Sequence, residues 1–183
     1  MKQIIELLNS NSTLTTALTA IAALFVSFLS IVLTTVSLWM QRTHNRKSIL
    51  PIGYIAVGDY EDDIFVRLRN DGNGPLIVEN MTVFPTGKQD EYKSSIIAFM
   101  PDLPGDHPWT TFVSNIKGTA ISPEGHITLI ELKGSPDEKD FEAAKEIVRR
   151  ELCLLSVTVT YRNVYNDRMP LISRRLDWFQ RSE

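Results

Sequence analysis

The chain has 183 residues, 43% of them hydrophobic and 22% charged, with a formal net charge of −3. That balance excludes a disordered or collagen-like chain, and the length suits one domain plus an anchor rather than two full domains. The single cysteine, Cys153, excludes a disulfide framework and a cysteine-based zinc site, and the acidic balance argues against DNA as a partner.

These averages conceal a division. No Asp, Glu, Lys or Arg occurs between Glu6 and Arg42. Inside that window, Leu14 to Met40 is dominated by apolar and small residues, and as a helix it reaches roughly 40 Å, against a hydrocarbon core of about 30 Å. The sequence predicts a transmembrane helix over residues 14–41, with Trp39 at an interface. A cleaved signal peptide fits poorly, because the run is too long and its positive charge follows it. Residues 1–13 form a separate N-terminal segment. In it MKQIIELL suits a short interfacial helix, which Asn9, Ser10, Asn11 and Ser12 are expected to break.

Orientation follows from the flanks. Arg42, Arg46 and Lys47 form a basic collar after the span, and Lys2 stands alone before it. Excess Lys and Arg marks the cytoplasmic side. The expected orientation therefore puts the N-terminus outside and the C-terminal domain in the cytoplasm.

The span carries a pattern of its own. Thr16, Ala20, Ala23, Ser27, Ser30, Thr34 and Ser37 follow alternating spacings of four and three. Such a seam lets helix backbones approach closely, and a 3.5-residue period implies a left-handed crossing. Self-association through this face is expected, with membrane lipid on the other. The same hydroxyls can instead bond back to their own helix carbonyls.

Residues 42–49 read as a basic juxtamembrane linker and residues 50–183 as a β-rich domain. Strand signals fall at Ile52–Val57, Ile64–Arg69, Leu76–Phe84, Ile96–Met100, Thr110–Val113, Ile127–Leu132, Leu154–Tyr161 and Leu171–Phe179. The turn Asn70-Asp71-Gly72-Asn73-Gly74-Pro75 separates two of them and offers Gly and Asn for positive φ. Ser135-Pro136-Asp137-Glu138 reads as a capping box opening one helix, whose apolar stripe is Phe141, Ala144, Ile147 and Val148. Glu146 and Arg150 suit an i,i+4 pair on its wet side. The expected fold is a single transmembrane α-helix followed by an all-β, immunoglobulin-like sandwich of seven to eight strands with one inserted helix.

The turn at residues 70–75 and the segment Tyr161-Arg162-Asn163-Val164-Tyr165-Asn166-Asp167 resemble turns of small bacterial membrane-anchored β-sandwich proteins. The overall plan is similar to that of transmembrane effectors of bacterial anti-phage systems. That likeness, one of architecture alone, implies a single-pass protein of a bacterial inner membrane; together with the small-residue seam it suggests a membrane-perturbing effector that oligomerises through its span, while both turns are structural and specify no activity.

Chemistry is sparse. His44, His107 and His126 lack ligand spacing, and the acidic turn Asp59, Glu61, Asp62 and Asp63 lacks the order of a calcium loop. Neither a phosphate-binding glycine loop nor a nucleophile motif is present, so no catalytic residue, metal or cofactor is assigned and the protein is not read as an enzyme. Cys153 reads as a small core residue. The loop Pro101–Pro108, leading into Trp109, is a candidate recognition surface. Arg149, Arg150, Arg174, Arg175 and Arg181, with Tyr161 or Tyr165 to stack on a base, are candidates for a nucleotide ligand, although Arg174 and Arg175 should point to opposite faces. The sequence thus points to a membrane-anchored domain that binds a protein or nucleotide ligand. The alternative is a passive anchor or assembly module for a protein complex.

Overall fold

The computed structural model describes residues 2–104, 108–135 and 137–182, with side chains from residue 11 onward except those of 139, 181 and 182. The chain divides into two compact units, Met1–Lys47 and Ser48–Glu183.

The first unit is one helix, α1, which runs from Lys2 to Ser48 without interruption. The expected break at Asn9–Ser12 does not occur. Those residues contain neither Gly nor Pro, and the hydroxyls of Thr15 and Thr16 reach back to the carbonyls of Asn11 and Ser12 at 2.7 and 2.8 Å. Residues 42–48 of the basic juxtamembrane segment continue the helix. Arg, Lys and Gln are good helix formers, and the first strong stop is Pro51, which disfavours helix at the residue before it.

The second unit is a β-sandwich. Its strands are β1 (Gly53–Asp59), β2 (Asp63–Asn70), β3 (Leu76–Pro85), β4 (Thr111–Phe112), β5 (Ala120–Ile121), β6 (His126–Lys133), β7 (Leu155–Arg162) and β8 (Ile172–Arg175). One sheet has the order β1-β2-β6-β4 and the other β5-β3-β7-β8, and the pairs are antiparallel. The order β1-β2-β6-β4 against β3-β7-β8 is that of the two sheets of an immunoglobulin-type sandwich. A second helix, α2 (Lys139–Cys153), is inserted between β6 and β7.

The core lies between the sheets. Ile55, Val66 and Leu68 come from one sheet and Val78, Val83, Val157 and Val159 from the other, all nearly inaccessible. On α2, Phe141, Ala144, Val148 and Leu152 are buried in the same core, so the helix closes one end of the sandwich. Its basic side chains reach the β1–β2 turn: Lys145 Nζ donates to the carbonyls of Tyr60 and Glu61, and Arg149 holds Asp59.

Several expectations need correction. Ile96–Met100 is not a strand; Ile97–Phe99 is a turn of 3-10 helix, in which Ile96 is fully buried, Ile97, Phe99 and Met100 pack partly buried against the core, and Ala98 stays exposed, a pattern without strand alternation. The last strand ends at Arg175, and Asp177–Ser182 is 3-10 helix that buries Leu176 and Phe179 beside α2. The short strand β5 was not foreseen from its two residues. Helix α2 starts at Lys139, after a turn in which Glu138 N–H donates to Ser135 O at 3.0 Å, so Ser135 is not its cap. Pro136 lies outside the described residues. Glu146 pairs with Arg149 one position earlier than expected, since Arg149 also reaches Asp59.

The two turns singled out in the sequence share one device, a buried asparagine. Asn70 is fully buried. Its Oδ1 accepts from Ile52 N at 3.2 Å and Gly72 N at 3.1 Å. Its Nδ2 donates to the carbonyls of Gly74, Ile121 and Ser122 at 2.8, 3.1 and 3.2 Å. Gly72 and Gly74 are required by close approach, not by positive φ. A Cβ at Gly74 would lie 1.9 Å from Ile49 O, and one at Gly72 2.3 Å from Leu50 O. Residues 49–52 are thus clasped by the 70–75 turn. Asn163, also buried, holds the later turn by accepting from Tyr165 N and Asp167 N, each at 2.9 Å.

Asn70→Ala would orphan buried donors and acceptors on three segments at once. The expected cost is roughly 3 kcal/mol or more, since each unsatisfied buried group costs about 1–3 kcal/mol. Chemical denaturation of the full chain in detergent checks this, and Asn163→Ala, which frees a turn closer to the surface, should cost less.

Candidate functional site

Among the described residues, the large exposed hydrophobic side chains concentrate on α1. The stretch Asn11–Ser48 is long and apolar enough to cross a membrane. Its large side chains stand exposed, Phe25 at 67% and Trp39 at 69%. In a water-soluble protein so many exposed apolar groups in one patch would be unfavourable.

The seam residues share one side of this helix, and the structure shows where their hydroxyls go. Thr16 donates to Ser12 O, Ser30 to Val26 O and Thr34 to Ser30 O, all within 2.8 Å. Thr15, Thr19 and Thr35, off the seam, do the same. These hydroxyls are therefore satisfied inside their own helix. Thr16, Ser30 and Thr34, with Ala20 and Ala23, thus offer a neighbour a shallow surface for close contact, and Ser27 and Ser37 lie exposed on the same side. The collar residues Arg42, Arg46 and Lys47 lie exposed on the last turns of the same helix.

In the sandwich, several charged groups that the sequence offers as ligands are occupied. Asp59 meets Arg149 Nε at 2.8 Å and Lys145 Nζ at 3.4 Å, so the acidic turn is tied to α2 rather than open to a cation. The hydrogen bond to Asp59 holds the Arg149 guanidinium further toward its charged form. Among the described residues no group of three His, Cys, Asp or Glu could hold a metal ion. His44 and His126 are exposed, and His107 lies outside the described residues, as does Asp106 of the proposed recognition loop. Trp109, at the end of that loop, packs against the core. The Cys153 thiol donates to Arg150 O at 3.0 Å, and burial pushes its pKa up, the opposite of what an attacking thiolate needs.

The arginine set is dispersed in its roles. Arg174 donates to the carbonyl of Ile55, and Arg175 pairs with Asp177 at 3.2 Å. Both nevertheless line one open hollow of about 440 Å³ with Asp177, Trp178 and Gln180. Adjacent strand residues reach it together because β8 ends there. Tyr161 is buried with its hydroxyl 3.3 Å from Gly53 N, so it is not available to stack on a base; Tyr165 is exposed. The side chain of Arg181 is outside the described set.

A second hollow of about 460 Å³ lies on the outer face of the β3-β7-β8 sheet, where Asn80, Thr82, Thr158 and Ser173 meet the exposed Tyr92 and Leu171. Its lining is uncharged, and sequence reasoning missed it. The signal was the run of alternating Thr and Ser on β7 and β8, which reads at first as an ordinary wet face.

A charged cluster occupies the outer face of the other sheet. Arg67 Nη2 meets Glu131 Oε1 at 2.5 Å and lies 3.8 Å from Asp63 Oδ2, while Lys133 Nζ is 3.4 Å from Glu131. The Arg67 guanidinium also sits 3.6 Å over the Phe65 ring. Burial pushes Asp63 up, and Arg67 only partly offsets it. Burial also pushes Glu131 up, but the bond from Arg67 and the charges of Lys133 and Arg67 outweigh that and hold it below the usual glutamate range.

The two carboxylates therefore act with opposite sign on stability. Glu131 contributes stability above its unfolded pKa and loses it as pH falls through its lower folded value. Asp63 favours the folded state at low pH and disfavours it as pH rises through its raised value. Asp63→Asn should stabilise the domain at pH 7, with the gain vanishing on acidification. Glu131→Gln should destabilise at pH 7 and flatten the acid limb. Thermal melts of both variants between pH 3 and pH 7 check the signs.

A comparison with protein-family models and a comparison with curated proteins each find no match to this chain.

Proposed function

We propose that the protein is a single-pass protein of a bacterial inner membrane that holds its β-sandwich in the cytoplasm as a binding domain. The observation that carries this reading is α1: an uninterrupted helix whose large apolar side chains from Leu14 to Met40 stand exposed, with no Asp, Glu, Lys or Arg in that stretch. A bilayer is the solvent in which such a surface is stable, since every backbone polar group is satisfied within the helix. The collar supports the orientation, because Arg42, Arg46 and Lys47 follow the span and Lys2 alone precedes it. The sandwich, −6 by its 15 basic and 21 acidic residues, would stand off an anionic leaflet beyond that collar.

The same reading extends to the span. The small-residue seam supports self-association, here through backbone approach rather than interhelical hydrogen bonds, since Thr16, Ser30 and Thr34 already bond within the helix. With the likeness of plan to anti-phage effectors, this supports a membrane-perturbing role. The sandwich would serve binding, not chemistry: its charged groups are tied into structural pairs, and its hollows are lined by side chains suited to recognition.

Two measurements test the reading. The full chain should resist extraction of membranes by alkaline carbonate, and Leu24→Lys with Phe28→Lys should release it, since each charge at mid-span costs about 2.5–3.5 kcal/mol. Recovery of the unaltered chain in the soluble fraction would sink the anchor. A voltage-sensitive dye then separates effector from passive anchor. Induced wild type should depolarise cells, and Ser27→Leu with Ser30→Leu and Thr34→Leu should not. Depolarisation by both rejects the seam; depolarisation by neither rejects constitutive membrane perturbation.

A further inference from the structure

A sandwich leaves sheet edges, and each edge is a template for another strand. Three of the four edges here are short: β4 and β5 have two residues each and β8 has four. The fourth, β1, has seven, Gly53–Asp59, and carries no charge before its last residue. Its sequence, GYIAVGD, has the β-branched and aromatic content and the low charge of a segment prone to strand pairing.

The free side of β1 is not left open. On β2, Asn70 N–H donates to Gly125 O on the β6 side, so Leu68 and Asn70 face β6 while Arg67 and Arg69 face β1. Their partners Ala56 and Tyr54 are therefore the β1 residues bonded to β2, and Gly53, Ile55 and Val57 direct their backbone groups outward. Two of those groups are taken by side chains of the opposite sheet. The Tyr161 hydroxyl lies 3.3 Å from Gly53 N, and the Arg174 guanidinium donates to Ile55 O. A guanidinium on a strand carbonyl satisfies that group and places a bulky cation where a further strand would lie.

We infer that Arg174, assisted by Tyr161, is the guard of the β1 edge, and that releasing it opens a strand-addition site for β1 of a second copy of this chain. The self-pairing is complementary. Antiparallel pairing centred on Ala56 sets Asp59 of each copy opposite Gly53 of the other, so no like charges face each other, and Tyr54 falls opposite Gly58. Ile55 and Val57 then exchange the new backbone bonds, and the two Ala56 residues form a non-hydrogen-bonded pair with Cα atoms about 4.5 Å apart, within disulfide reach. The inference does not rest on the membrane reading, since the edge belongs to the sandwich alone.

The test is a disulfide across that pair. Full-length protein carrying Ala56→Cys and Cys153→Ser is purified in detergent and oxidised, with and without Arg174→Ala. Any association through the span is common to both arms. The linked dimer should be scarce with Arg174 in place and rise about tenfold without it, the ratio expected for losing one charge-assisted hydrogen bond. Arg174→Lys should restore most of the protection. Abundant linkage with Arg174 present, or no increase on its removal in a protein that still melts cooperatively, overturns the inference. If Arg174→Ala does not fold, Tyr161→Phe decides, because it keeps the ring and removes the hydroxyl from Gly53. A rise of about twofold or more supports the guard, and unchanged linkage rejects it.

Discussion

The side chain of Asn70 is the joint on which the sandwich is assembled. One buried amide ties the end of β2, the following turn, the segment entering β1 and the strand β5 together. No other residue type serves equally. An aspartate would bring a charge into the core and lose both donors, and a glutamine would overshoot the carbonyl of Gly74. The glycines at 72 and 74 follow from the same constraint, because the chain leaving α1 passes so close to the turn that a Cβ would collide with its backbone. Residues 49–52, the first after the helix, are thereby fixed to the domain they introduce.

Much of this was legible because it rests on local pattern. Alternation in Ile64–Arg69 and Leu154–Tyr161 gave the central strands, and Phe141, Ala144 and Val148 gave the buried face of α2. What the sequence hid depended on distant partners. The stretch Ile96–Met100 is apolar enough for a strand, yet Ile97–Phe99 winds into a 3-10 turn that sets Ile96 in the core and Phe99 and Met100 against its margin. β5 exists because Leu76 and Ile77 offer it an edge. Arg149 reads in the sequence as a candidate nucleotide contact, whereas it holds Asp59, ninety residues earlier, and Glu146 on its own helix. The turn at residues 70–75 was recognised as a turn, but its glycines were read for positive φ when steric approach is what requires them. The uncharged hollow around Thr82, Thr158 and Ser173 left no trace beyond an unremarkable wet face.

The helix shows how solvent changes the meaning of a pattern. In water the exposed Leu, Ile and Phe of α1 would drive association or aggregation. In lipid they are neutral, and the small residues become the informative ones. The structure narrows their role, since Thr16, Ser30 and Thr34 donate to carbonyls of their own helix, which favours packing as the interaction on offer there. The edges of the sandwich follow a parallel logic: the long, apolar strand β1 is the one held by side chains from across the fold.

The central claim is that α1 crosses a membrane and leaves the sandwich in the cytoplasm. Protease protection tests it most directly. In inverted inner-membrane vesicles, trypsin should remove the sandwich and leave a protected fragment containing α1, whereas in intact spheroplasts the sandwich should survive. Digestion of the sandwich in spheroplasts would reverse the orientation, and protein washed free of both preparations would contradict the span itself.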